Sequence, residues 1–145
     1  MAPEYAQWCA ELAADGLRAS VQHDDLSDGN VFSDGAGFRF FDWGDASVAH
    51  PFGSLLVALY VATNQFDLTA RGPELARLRD AYLEPWTSDL DRTGLLRSAT
   101  LAMRAAKVSR ALSWQRALDG AELPVAPEHS TAVVDWLADL TEPDV

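Results

Sequence analysis

Apolar positions recur along the chain at two different periods, and the change between them divides it. From residue 3 to residue 15, Ala6, Cys9 (beside Trp8), Leu12 and Ala13 return at helical spacing. Pro3 suits the first turn of that helix and Gly16 its stop. Cys9 is expected to pack there as a small hydrophobe. Residues 19–50 lose the helical period. Val21-Gln22-His23 reads as a short strand, and Asp24 to Asn30 is too rich in turn formers for regular structure. Val31-Phe32-Ser33 and Phe38-Arg39-Phe40-Phe41 then flank Asp34-Gly35-Ala36-Gly37, a β-hairpin signal with Asp-Gly at the turn.

From Pro51 onward the helical period returns. Leu55, Leu56, Leu59 and Tyr60 form one stripe, and Leu75, Leu78, Tyr82 and Leu83 a second between Pro73 and Pro85. A long helix is predicted from about Asp89 to Leu118, closed by Gly120. After Leu123-Pro124-Val125 the last stripe holds Val133, Val134, Trp136, Leu137 and Leu140. No internal repeat or low-complexity tract interrupts this order. The expected fold class is mainly α with a small β-hairpin (α+β). It forms one unit over 1–145: a leading helix to residue 18, a loop-and-hairpin segment over 19–50, and a helical subdomain over 51–145.

Composition narrows the partners. The chain has 145 residues and is 48% hydrophobic, enough for one domain with a packed core. Its 22 acids against 11 bases leave a net charge of −11, which disfavours nucleic acid and anionic membrane as partners. A cationic small molecule or a divalent metal is compatible with that balance, as is an acidic surface kept for solubility. A single cysteine cannot build a disulfide framework or a Cys-rich zinc site. No signal-peptide pattern opens the sequence, and the apolar run Leu55 to Ala62 is far short of a membrane span, so the reading is cytoplasmic.

The non-helical middle carries the candidate chemistry. His23-x-Asp25-Leu26-x-x-x-Asn30 has the spacing of a kinase catalytic loop, and Asp42-Trp43-Gly44 follows on the far side of the hairpin, where a metal-binding Asp-x-Gly belongs. Four fixed positions of this kind arise by chance on the order of once in a thousand such chains. A hydroxyl attacking a phosphoryl group needs an acceptor that orients it and takes its proton, and Asp25 is the candidate. A leaving diphosphate needs its charge neutralised, usually by Mg²⁺, and Asn30 and Asp42 would supply oxygen ligands. A calcium-loop reading of Asp24 to Gly35 fails, because its third position is Leu26 and its twelfth is Gly35.

Gln22-His23-Asp24-Asp25-Leu26-Ser27-Asp28-Gly29-Asn30-Val31-Phe32 resembles the signature of the aminoglycoside phosphotransferases and the choline-kinase-like enzymes related to them. Phe41-Asp42-Trp43-Gly44-Asp45-Ala46 and His50-Pro51-Phe52-Gly53-Ser54-Leu55 resemble that family's next two segments. The likeness covers residues 1 to about 60 by motif and the remainder by helical character. It implies the C-terminal lobe of a protein-kinase-like fold. The implied activity is transfer of the γ-phosphate of ATP or GTP, with Mg²⁺, to a hydroxyl of a small molecule such as an aminoglycoside or amino alcohol. It further implies that His23 is a buried strut bonded to backbone near Asp42, with Gly44 supporting the same site, and that Phe32 floors the adenine pocket.

Two departures stand out: Asp24 replaces the family's usual Gly, and Ser54 stands where many relatives have an Asp that braces the catalytic loop. Asp45 fits either a helix cap or a contact to metal or substrate, while Asp24 and Asp28 read as solvated loop acids or caps. Trp86, Trp114 and Trp136 are expected in core packing, with a substrate wall the lesser alternative, and His50 and His129 as structural or solvent-facing. Acids such as Asp89 with Asp91, or Asp135 with Asp139, are exposed helix faces or binders of substrate ammonium groups.

A nucleotide-binding lobe cannot be placed. No Gly-x-Gly-x-x-Gly occurs, and the sole lysine, Lys107, falls in the long C-terminal helix. The chain is expected to be either a lobe of a longer protein or a truncated member, and of low activity alone. The alternative function is a non-catalytic kinase-like module that binds a ligand or partner protein. The face left by the missing lobe would favour self-association.

Overall fold

The computed structural model describes residues 2–121, 126–138 and 140. The expected Leu123-Pro124-Val125 break and Asp139 lie outside the described residues. The chain is mostly helical with two small antiparallel sheets. Helix α1 (Ala2–Ala14) leads into strand β1 (Ser20–Gln22), and a polar loop then reaches the hairpin β2 (Val31–Ser33) and β3 (Phe38–Phe40). Strand β4 (Ser47–Ala49) follows, then helices α2 (Leu55–Gln65), α3 (Pro73–Leu83), α4 (Arg92–Asp119) and α5 (Ala132–Ala138).

Helix α4 is the central element, packing against α1, α2 and α5. Asp91 caps it by accepting a hydrogen bond from Gly94 N at 2.7 Å, which meets one of the orphan donors of the first turn. Its small buried residues, Ser98, Ala99 and Ala102, let neighbouring helices approach closely. The core gathers Leu12, Leu55, Leu56, Leu59, Leu75, Leu83, Leu95 and Met103 around Phe52, which is fully buried. Phe52 meets Trp86 edge-on at 5.2 Å and Tyr82 at 6.3 Å, a geometry that aromatic quadrupoles favour. The Tyr82 hydroxyl donates to Pro51 O at 2.7 Å, so its buried polar end is satisfied.

The expected stripe of α1 needs correction. Only Leu12 of its four residues is buried, and Cys9 is exposed. Because α1 touches the body mainly through α4, only a narrow face is covered, and it follows Tyr5, Trp8 and Leu12. Arg104 of α4 lies over the Trp8 ring at 5.5 Å, and Arg97 pairs with Glu11.

Strand β4 was not foreseen. It pairs with β1 in the register Ser20↔Ala49, Val21↔Val48 and Gln22↔Ser47. Val21 and Val48 both face solvent, so neither strand shows the apolar alternation that marks a half-buried sheet. The ladder nevertheless matters, because it pins the loop after Gln22 beside the segment before Ser47. The hairpin is likewise exposed, with Val31 opposite Phe40 and Phe32 opposite Arg39.

Candidate active site

Asp25 sits just past a tight three-residue turn. Its amide donates to His23 O, and Asp24 at the centre of the turn has φ 32°. Further bonds from Ser27 N to Asp25 O (2.8 Å) and Asn30 N to Ser27 O (3.1 Å) wind the loop into one compact curl. Asn30 closes it: its amide Nδ2 donates to Asp25 O at 2.9 Å and to Asp25 Oδ2 at 3.2 Å. That leaves the amide oxygen of Asn30 directed away from Asp25.

The other oxygen of Asp25 is held from a distant element. Arg110, on α4, donates through Nη2 to Asp25 Oδ1 at 2.6 Å and through Nη1 to Asp45 Oδ2 at 3.0 Å. The Arg110 side chain is 12% exposed, so the guanidinium is largely shielded from water between two partly exposed carboxylates. Trp114, one turn further along, lies 5.7 Å below the guanidinium carbon. Asp45 is therefore tied to Arg110. Spacing alone did not reveal Arg110. The available signal was Lys107, Arg110 and Trp114 recurring at helical spacing along α4 in a chain with only 11 bases.

Asp42 is delivered by the hairpin. Phe41 N donates to Asn30 O at 2.9 Å, which sets Asp42 beside the Asp25–Asn30 loop, and Asp42 has φ 53°, a left-handed conformation that Asp tolerates better than most residues. His23 Nε2 donates to Phe41 O at 2.6 Å, and its ring stacks at a tilt on Trp43 at 4.7 Å. A Cβ at position 44 would stand 3.4 Å from Asp42 Oδ1, so Gly44 leaves that carboxylate room. Phe32, on β2, is more than half exposed.

Ser54 takes over a bracing position with a hydroxyl. Its Oγ accepts from His23 N at 3.1 Å and donates to Gln22 Oε1 at 2.9 Å, while Ser54 N donates to the same oxygen at 3.2 Å. Gln22, His23 and Ser54 are all buried, so the loop is anchored by a buried hydrogen-bond network without a second carboxylate, in which His23 Nδ1 alone of the His23 ring nitrogens has no partner. His50 is structural: its Nε2 donates to Asp15 Oδ2 at 2.8 Å and its Nδ1 accepts from Phe52 N at 3.3 Å.

Asp24 is half-buried rather than solvated. Burial, reinforced by the charge of Asp45, pushes its carboxyl above the usual range. Asp28 accepts from Gln65 at 3.3 Å.

Asp25 opens onto a cavity of about 730 Å³ between α2, α4 and α5. Tyr60, Trp114, Trp136 and His129 contribute to its wall, with Leu56, Met103 and Ala132. Of the three helical tryptophans, Trp86 belongs to the core, whereas Trp114 and Trp136 line the cavity. Asp135 also faces it; Asp91 caps α4, and Asp89 lies on the surface.

The matching family is described as the phosphotransferase enzyme family, and its match runs over residues 1–96. The chain belongs to this family. Membership associates the chain with phosphoryl transfer, and the match contains the whole Asp25–Asn30–Asp42 arrangement while ending early in α4, before Arg110. No curated protein and no solved structure matches the chain. Among the described residues no helix is long and apolar enough to cross a membrane.

Proposed function

We propose that the chain is the C-terminal lobe of a small-molecule kinase of protein-kinase-like fold, in which Asp25 receives the proton of an acceptor hydroxyl as the γ-phosphate of ATP or GTP is transferred to it. The observation that carries this reading is the position of Asp25. One carboxylate oxygen is held by Asn30 and the other by Arg110, at the mouth of a cavity large enough for a small organic acceptor. A fixed carboxylate at a cavity mouth can orient a hydroxyl and accept its proton as the new O–P bond forms.

The residues present fit a magnesium ion. Among the described residues no cluster of three His, Cys, Asp or Glu side chains could hold a metal by itself. Asp42 follows Phe41, whose amide donates to Asn30 O, and the Asn30 amide nitrogen is engaged with Asp25, which leaves its oxygen for a cation. Two protein oxygens suit Mg²⁺, which keeps water and takes the remaining ligands from substrate phosphates. Bound there, it would neutralise charge on the leaving diphosphate. Phe32, exposed beside Asn30 and Val31, is the residue proposed to meet the nucleotide base.

Nucleotide binding tests this directly. A fluorescent ATP or GTP analogue is expected to bind in a Mg²⁺-dependent manner, and Asn30→Ala and Asp42→Ala are each expected to weaken Mg²⁺-supported binding about tenfold or more. Absence of Mg²⁺-dependent binding by the wild-type chain would favour the other reading, a non-catalytic module. That reading draws on the exposed apolar hairpin face.

A further inference from the structure

We infer that the acceptor is an uncharged, ring-bearing hydroxyl compound whose ring faces lie against Trp114 and Trp136. This deepens the assignment of Asp25 and rests on it. Charge is the first argument. Although the chain carries −11 overall, the charged side chains facing the cavity among the described residues balance: Asp25 and Asp135 against Lys107 and Arg110. A polycation reaching Asp25 would have to place an ammonium beside the guanidinium that already sits 2.6 Å from that carboxylate. Like charges brought together in a partly dehydrated cavity repel strongly. A strongly anionic acceptor fares no better, because Arg110 is already engaged with both Asp25 and Asp45, and Asp135 adds a negative charge to the wall.

The wall itself is the second argument. Tyr60 and Trp136 stand 5.4 Å apart at a tilt, and Trp114 and His129 stand 5.1 Å apart. These rings, with Leu56 and Met103 beside them, make much of the wall apolar, although Arg110 and His129 already lie against Trp114. Such faces take the C–H face of a sugar ring or the plane of an aromatic group. The volume is the third argument: about 730 Å³ accommodates a compound of several rings and greatly exceeds what an amino alcohol fills.

Calorimetric binding to the full chain, without nucleotide or Mg²⁺, tests the inference. The probes are para-nitrophenyl glucoside (uncharged, with two rings), neomycin (polycationic), choline and glucuronate. The glucoside is expected to bind saturably and most tightly, with affinity changing less than about twofold between about 0.05 and about 0.5 M salt. Trp114→Ala and Trp136→Ala are each expected to weaken it about fivefold to tenfold, and Trp114→Phe, which keeps a ring face, by less than about threefold. Tighter binding of neomycin, choline or glucuronate would overturn the inference. So would failure of the glucoside to bind, or Trp114→Phe losing as much affinity as Trp114→Ala. Since these experiments omit nucleotide and metal, their failure leaves the role of Asp25 standing, and that role is tested separately by Mg²⁺-dependent nucleotide binding.

Discussion

At Asp24 the backbone turns with φ 32° while burial raises the carboxyl's affinity for its proton, so one side chain carries two costs. Asp24→Gly removes both and is expected to raise stability by about 1 kcal/mol, read as a higher urea midpoint at unchanged slope. The pH dependence has a definite sign. A raised folded pKa favours the protonated fold, so the stability that Asp24 contributes is present in acid and is lost as pH rises through that pKa. The advantage of Asp24→Asn over wild type should therefore grow toward neutral pH and vanish in acid. Ser54→Ala works in the other direction, leaving His23 N buried without its partner and Gln22 Oε1 with only the backbone N of residue 54, at a cost of about 1–3 kcal/mol in the same denaturation experiment.

These residues also show how far single positions can be read. The spacing of His23, Asp25, Asn30 and Asp42 was legible because turn chemistry is local: bonds within the 22–42 segment join them, even though Ser54 and Arg110 also hold His23 and Asp25 from outside it. Arg110 was not, because the contact it makes spans 85 positions and depends on where α4 lies. Ser54 was legible as a departure, and its bonding role became apparent only once β1 and the start of α2 were brought together.

Among the elements, the long helices were readable because their period and end signals agree, as with Gly120 closing α4, whose start the cap Asp91 sets a few residues after the expected Asp89. Three-residue strands whose one exposed face carries Val21 and Val48 and whose covered face carries Gln22 and Ser47 show no such pattern, and β4 is visible only through its ladder with β1. The same ladder leads to a link between elements. Asp15, just past α1, accepts from Ser98 Oγ of α4 at 2.7 Å, from Leu17 N at 2.9 Å and from His50 Nε2 after β4. Burial alone would raise the Asp15 carboxyl, but these three donors bring it below the usual range. A depressed folded pKa contributes stability above the ordinary carboxylate range that is lost as pH falls through the folded value. Wild type is therefore expected to exceed Asp15→Asn in stability near neutrality, with the gap closing in acid, as measured by urea unfolding over a pH series.

For the molecule as a whole, the acidic surface and the apolar hairpin face divide the labour. Phe38, at 70% exposure, shares one face of the hairpin with Phe40, and Phe41 and Trp43 are exposed just beyond it, apolar surface of the kind that marks an interaction site. We expect a second copy of this chain to cover it, giving concentration-dependent self-association in sedimentation that Phe38→Ser weakens; a strictly monomeric wild type would contradict this. The interior side is occupied by the site, where the catalytic loop, the hairpin end and α4 meet at one carboxylate. Phosphoryl transfer to a hydroxyl, with Asp25 receiving the proton, is the central claim. Its most direct test follows the γ-phosphate of labelled ATP or GTP, with Mg²⁺, into uncharged hydroxyl acceptors, comparing wild type with Asp25→Asn. The account predicts label on the acceptor hydroxyl and a loss of about 100-fold or more in Asp25→Asn. Transfer that persists undiminished in Asp25→Asn, or no transfer by the wild type, would contradict it.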